Sequence, residues 1–166
     1  MAVTHGRGVG VAAVRAYARR QRNQLGGLDL LVVDYLQKVS NPIRGAYAEA
    51  EVAAVSGKLA ALAGELGCAV LACSALRRVQ GQVPRIDDLR SSGQIEFDAD
   101  VVWLLSRPEQ TDPDTKRTGE IDVILAKQRN GPTGDCVLRF DRRTGRFTDV
   151  PAEERNEPLS QSFEGV

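Results

Sequence analysis

Histidine is nearly absent: His5 is the only one in 166 residues. That excludes His-ligated metal centres and Ser-His-Asp nucleophile chemistry. A phosphate cradle of the form GxxxxGK[ST] is missing too. The nearest approach, "SGKL" at 56–59, has Gly57-Lys58, but Val52 stands where the first glycine belongs and Leu59 follows the lysine. "GRGVG" at 6–10 has Val11 where GxGxxG needs its last glycine, and no strand precedes it, so it reads as a flexible lead. Cys68, Cys73 and Cys136 form no CxxC pair, and two of them lie in an apolar run where a thiol acts as a small hydrophobe. This usage predicts a reduced, cytoplasmic setting. No apolar stretch is long enough to span a membrane, and the N-terminus lacks a signal-peptide h-region, so no membrane partner is expected. Neither sign of charge is in excess, with 22 basic and 22 acidic side chains, so any nucleic-acid binding must come from a local patch.

What is present is an ordinary globular chain, 42% hydrophobic and 27% charged, with core enough for one domain over residues 1–150. Residues 9–25 read as a helix ended by the glycines at 26 and 27. "LDLLVVD" follows as a strand apolar on both faces, the pattern of a buried parallel strand. Val52, Val55, Leu59, Leu62 and Leu66 step by three and four, one face of a helix that stops at Gly67. "CAVLACSA" at 68–75 is a second buried strand, so strand, helix and strand predict a right-handed parallel crossover. A polar loop leads to a short helical region in "IDDLRSSGQIEFDA", capped by Asp87 or Asp88. Strands are expected at 100–106 and 120–129, separated by a mobile polar loop, and a hairpin turning near Thr144-Gly145 closes the domain. Residues 151–166 are polar and predict a disordered tail.

Three places could carry chemistry. Asp34 ends an apolar strand, where a carboxylate is either a turn or helix-cap residue or a magnesium holder beside a nucleotide phosphate. In an open α/β sheet, ligands collect outside the carboxyl ends of strands. Lys127 and Arg129 lie two apart on a strand and end at the turn "NGPTG". With no acidic partner nearby in sequence, they either sit in water or await an anion. "DLRSSG" offers Arg90 and the amides around Gly93 to a phosphate, against the ordinary reading of an exposed arginine at a helix-to-loop junction.

Taken together, "LDLLVVDYLQ", "VSGKLAALAGELGCAVLACSAL", "PRIDDLRSSGQIEFDADVVWLL" and "AKQRNGPTG" resemble, in this order and spacing, the C-terminal RecA-like motor domain of the bacterial replicative DNA helicase, the DnaB type. The resemblance runs from about residue 9 to residue 150. It implies an α/β fold with a P-loop-NTPase-type core: a mainly parallel sheet flanked by helices, with a C-terminal antiparallel hairpin, incomplete on its N-terminal side. By the same resemblance, Asp34 is the Walker B carboxylate holding magnesium through water. Lys127 and Arg129 are a trans-acting finger that reaches the nucleotide of a neighbouring protomer. Arg90, Ser91 and Gly93 lie on a loop that follows the backbone of single-stranded DNA in the channel of a hexamer. Cofactors at family level are ATP and Mg2+, and partners are single-stranded DNA with either self-association or an intact helicase subunit.

The departures are specific. The family's P-loop and catalytic glutamate lie upstream of the matching region. Where the family has Ser-Gln-Leu, this sequence has Ser74-Ala75-Leu76, and Ser91 replaces a glutamate in the DNA loop. The expectation is therefore a partial 5'-3' DNA helicase motor domain of DNA replication that does not bind and hydrolyse ATP alone. The alternatives are a non-enzymatic module that docks on or regulates a helicase ring and, more weakly, a fragment of a RecA-like recombinase or repair ATPase. Missing upstream strands also predict an exposed sheet edge and apolar surface.

Overall fold

Two stretches of helical periodicity and six of strand character organise the chain. The computed structural model describes residues 9–41, 47–77, 82–89, 92–151 and 153. Gly6, Arg7 and Gly8 of the expected flexible lead, Arg90, Ser91 and nearly all of the expected disordered tail lie outside the described residues, whereas Val9 and Gly10 of that lead are held against Ser40 by backbone bonds. The chain divides into two compact units, Met1–Arg77 with Leu89–Ala99, and Arg78–Asp88 with Asp100–Val166.

In the first unit, α1 (Val11–Leu25) ends where Gly26 adopts φ +73°, a left-handed conformation that glycine takes without a Cβ clash. Strand β1 (Leu30–Val33) leads through Asp34 and a 3-10 turn at Leu36–Lys38 toward α2 (Ala48–Leu66). The periodic face of α2 is its buried face: Val52, Val55, Leu59, Leu62 and Leu66 are all in the core. Each such leucine contributes about 1.5–3 kcal/mol relative to leaving it in water. Gly67 at φ +60° closes the helix, and β2 (Ala69–Ala72) pairs with β1 in parallel, Leu30 opposite Ala69 through Val33 opposite Ala72. The expected parallel crossover is present. Glu65 of α2 receives Arg15 at 2.7 Å and Arg19 from α1, which ties the two helices together at their surface. The hydrogen bond from Arg15 holds the Glu65 carboxyl below its ordinary range, with desolvation opposing the shift and Arg19 adding to it. Helix α3 (Ser92–Asp98) packs against α2 and completes this unit.

The second unit is an antiparallel meander of β3 (Val101–Ser106), β4 (Glu120–Gln128), β5 (Gly134–Asp141) and β6 (Arg146–Asp149), in that order. The parallel portion of the fold is the β1–β2 pair, and the antiparallel portion reaches from the expected hairpin back to β3. Strand β3 alternates strictly: Val102, Leu104 and Ser106 are buried, whereas Val101, Trp103 and Leu105 are exposed. The described residues thus leave one face of β3 uncovered, and β1 and β2, expected to be buried strands, are likewise exposed at Leu30, Val32 and Leu71. The β5–β6 turn is built by Asp141, which accepts from the Arg143 amide at 2.8 Å and the Thr144 hydroxyl at 2.6 Å, with Gly145 at φ +69°. These bonds, that of Thr144 first, hold the Asp141 carboxyl below its ordinary range.

The polar loop between β3 and β4, expected to be mobile, is partly built. It contains a single helical turn, α4 (Pro108–Thr111), started by a proline whose fixed φ suits that position. Near its end stands Arg117, whose Nε lies 2.8 Å from Glu120 and whose terminal nitrogens bind Asp122. All three side chains are nearly out of water, at 12, 5 and 10% exposure. Burial opposes the Arg117 charge, but the hydrogen bonds of Asp122 and Glu120 outweigh it and raise its pKa further. A loop of polar composition is therefore anchored by a desolvated ion triad.

Candidate functional site

At the carboxyl end of β1 the chain turns out of the sheet, and Asp34 is exposed there. The Asp34–Tyr35 peptide bond is cis. Backbone bonds continue past the strands: the Cys73 amide donates to Val33 at 2.9 Å and the Leu36 amide to Cys73 at 2.9 Å. The segments after β1 and β2 are thereby fastened side by side. Gln37 fastens them again with its side chain, donating from Nε2 to Ser74 Oγ at 3.0 Å and accepting from the Ala75 amide at 3.3 Å. Asp34 therefore stands outside the ends of two parallel strands on a double-pinned turn, where an open α/β sheet gathers ligands. Gln37 is a positioning residue that the sequence does not flag, because a glutamine after a strand carries no local signal.

No group of three or more His, Cys, Asp or Glu side chains that could hold a metal occurs among the described residues. A lone Asp34 fits one mode of magnesium binding, in which one or two carboxylates act together with substrate phosphates and retained waters. It does not fit an all-protein cage.

The other expected site lies at the far end of β4 in the second unit. Lys127 is half-buried on the strand opposite Val102, and Arg129 follows the strand and is exposed. An acidic partner does exist, although none is near in sequence: Asp100 lies just before β3, opposite Arg129 in the antiparallel register. Its carbonyl accepts from the Arg129 amide at 2.8 Å, and its carboxylate is 3.1 Å from Arg129 Nε. Only the β3–β4 pairing brings them together. The turn that follows is packed by its own neighbour, since a Cβ at Gly131 would collide with the Gln128 side chain. Of the expected DNA-loop residues, Gly93 is exposed in the first turn of α3, while Arg90 and Ser91 lie outside the described residues.

The pattern of the DnaB-like helicase C terminal domain matches residues 1–149. The chain belongs to this family. It is 45% identical over 141 residues to the replicative DNA helicase DnaB of Mycobacterium leprae, covering 82% of this chain and 23% of that protein. The Haemophilus influenzae replicative DNA helicase DnaB is 40% identical over 146 residues, covering 86% of this chain and 31% of that protein. Among solved structures, a DnaB-like replicative helicase described with its interactions with primase matches at TM-score 0.80 and 30% identity, over 86% of this chain and 36% of that one. A second solved structure, an isolated helicase ATPase domain, matches at TM-score 0.80 and 30% identity, over 86% of this chain and 52% of that one. The fold of this DnaB-like chain is that of RecA-like helicase ATPase domains. The chain spans about a quarter to a third of the length of these curated relatives. No helix among the described residues is long and apolar enough to cross a membrane.

Proposed function

We propose that this DnaB-like chain is the downstream part of a replicative helicase motor, which completes an ATP site only together with a segment that supplies the phosphate cradle. The observation that carries the proposal is the presence, in one chain, of a lone carboxylate at a strand end, Asp34, and a cationic strand end, Lys127 and Arg129, the latter held by Asp100. Asp34 would hold magnesium through water, and the metal would neutralise phosphate charge when nucleotide is bound. These 166 residues contain no GxxxxGK[ST], so Asp34 reaches a triphosphate only through the metal. Without the family's catalytic glutamate, loss of a general base slows hydrolysis by a further ~10²- to 10⁴-fold. The chain alone is therefore inactive.

Lys127 and Arg129 act on the nucleotide of a neighbouring protomer. Asp100 orients the Arg129 guanidinium through Nε, and positive charge delivered to the transferring phosphate stabilises phosphoryl transfer. Arg90, Ser91 and Gly93 track single-stranded DNA through its phosphates, without sequence preference and with affinity that falls as salt rises. The alternative, a module that docks on a helicase ring without catalysis, draws support from Ala75, which replaces a phosphate-sensing glutamine.

Reconstitution separates these readings. The chain is co-expressed with the unmatched portion of the Mycobacterium leprae DnaB protein, and ATP hydrolysis is measured with single-stranded DNA. Hydrolysis that needs both parts and falls at least ~10³-fold with Arg129→Ala supports the motor reading. A complex whose hydrolysis is indifferent to Arg129 sinks it in favour of the docking module.

A further inference from the structure

Beyond the end of β2, the first unit passes through Ser74 and Ala75 to Leu76, which forms an isolated antiparallel bridge with Leu89. Leu89 is buried and stands directly before Arg90, where the expected DNA loop begins. Gly93 of that loop lies in the first turn of α3, and α3 packs on α2. One end of the loop is thus seated on a helix and the other on the segment that follows β2. Even an isolated two-stranded hairpin is marginal in water, so a single bridge keeps its place only if its flanking segment is held.

Gln37 does the holding. Its Nε2 donates to Ser74 Oγ at 3.0 Å and its Oε1 accepts from the Ala75 amide at 3.3 Å, both out of full contact with water. Gln37 itself sits in the 3-10 turn Leu36–Lys38, and the Leu36 amide of that turn donates to Cys73 at 2.9 Å. A path of bonded groups therefore runs from the turn after Asp34, through Gln37 and Ala75, to Leu76 and Leu89. Asp34, Gln37, Ala75, Leu76 and Leu89 all belong to one unit. Residue 75 is an alanine with no polar side-chain atom, so Gln37 grips it through its backbone amide. We infer that Gln37 is a positioning residue for the single-stranded DNA loop: it fixes the 74–76 segment, against which Leu89 seats the entry to the loop. The inference rests on the helicase-motor reading, which makes this loop a DNA contact, and deepens it by naming the residue that ties the loop to the Asp34 turn.

The chemistry of the clamp supplies its own control. Gln37→Leu removes both bonds at similar size. Gln37→Glu keeps an acceptor for the Ala75 amide, and the Ser74 hydroxyl, which donates as well as accepts, pairs with the other carboxylate oxygen. Binding of the full chain to a fluorescent oligo-dT is measured by anisotropy across a salt series, and backbone hydrogen exchange is followed in the peptides that contain Ala75 and Leu89. Gln37→Leu is expected to weaken oligonucleotide binding about 2- to 30-fold and to speed exchange around both residues. Gln37→Glu is expected to return exchange to the parent values. The salt dependence separates positioning from mere loss of fold: a displaced loop loses phosphate contacts and lowers the slope, whereas a smaller folded fraction weakens binding at the parent slope. Unchanged exchange at Leu89 when Ala75 is released overturns the inference, as does weakened binding with the parent slope. A parent chain that binds no oligonucleotide overturns the DNA role together with the reading it rests on. A response at Leu89 in that case shows that the fault lies in the reading and not in the clamp.

Discussion

Arg117 and Arg129 flank the two ends of the same strand, and their surroundings differ sharply. Arg117 is 12% exposed and shared by two carboxylates that are themselves out of water. Arg129 is 54% exposed and pairs with an Asp100 that is 70% exposed. The first arrangement is costly to assemble and costly to break, because removing the cation strands two buried negative charges. The second is a solvent-screened contact, so an anion with more charge can compete for it. Charge type alone does not distinguish a structural arginine from a functional one. Burial of the cation and of its carboxylates marks Arg117 as structural, while the exposed pair leaves Arg129 open to the proposed role.

The sharpest way to break that contrast is to exchange the losses. Arg129→Ala is expected to lower reconstituted ATP hydrolysis by at least ~10³-fold. The same variant should leave the stability of the chain in urea nearly unchanged, within about 0.5 kcal/mol. Arg117→Met should do the reverse at the level of the fold, destabilising the second unit by about 3–5 kcal/mol in urea titrations followed by Trp103 emission. Equal destabilisation by the two variants would erase the distinction. Asp100→Asn sharpens it further: an exposed pair contributes about 0–1 kcal/mol, so stability should hardly move while the proposed finger, Arg129, loses its orienting carboxylate. A drop in hydrolysis with unchanged folding is the expected pattern.

A smaller effect concerns the surface pairs of the first unit. Glu65 has its pKa lowered in the folded chain by Arg15 and Arg19. Its contribution is therefore present above the unfolded carboxylate pKa and is lost as pH falls through the lowered folded value. Acid unfolding curves of Glu65→Gln should converge on those of the parent chain at low pH and separate modestly near neutrality. Divergence in acid instead would reverse the sign.

Much of this architecture is legible in the sequence because it is local. Val52, Val55, Leu59, Leu62 and Leu66 declare their buried face by spacing, and all five are buried. The parallel crossover follows from two apolar runs around that helix. What stays hidden depends on register between distant segments. Asp100 reaches Arg129 only because β3 and β4 run antiparallel, and two apolar strands look alike whichever way they pair. The polar loop looks mobile by composition, yet Arg117 closes on Asp122 inside the sheet unit. Gln37 is invisible for a similar reason, since its amide acts on Ser74 and Ala75 across the neighbouring strand end.

On the proposed reading, these residues carry part of an ATP site rather than a whole one. Equilibrium binding of a fluorescent ATP analogue with magnesium, for the parent chain and Asp34→Ala, tests it most directly. No saturable binding to either is expected. Tight binding that disappears in Asp34→Ala would contradict it, because a phosphate site would then exist within this chain alone.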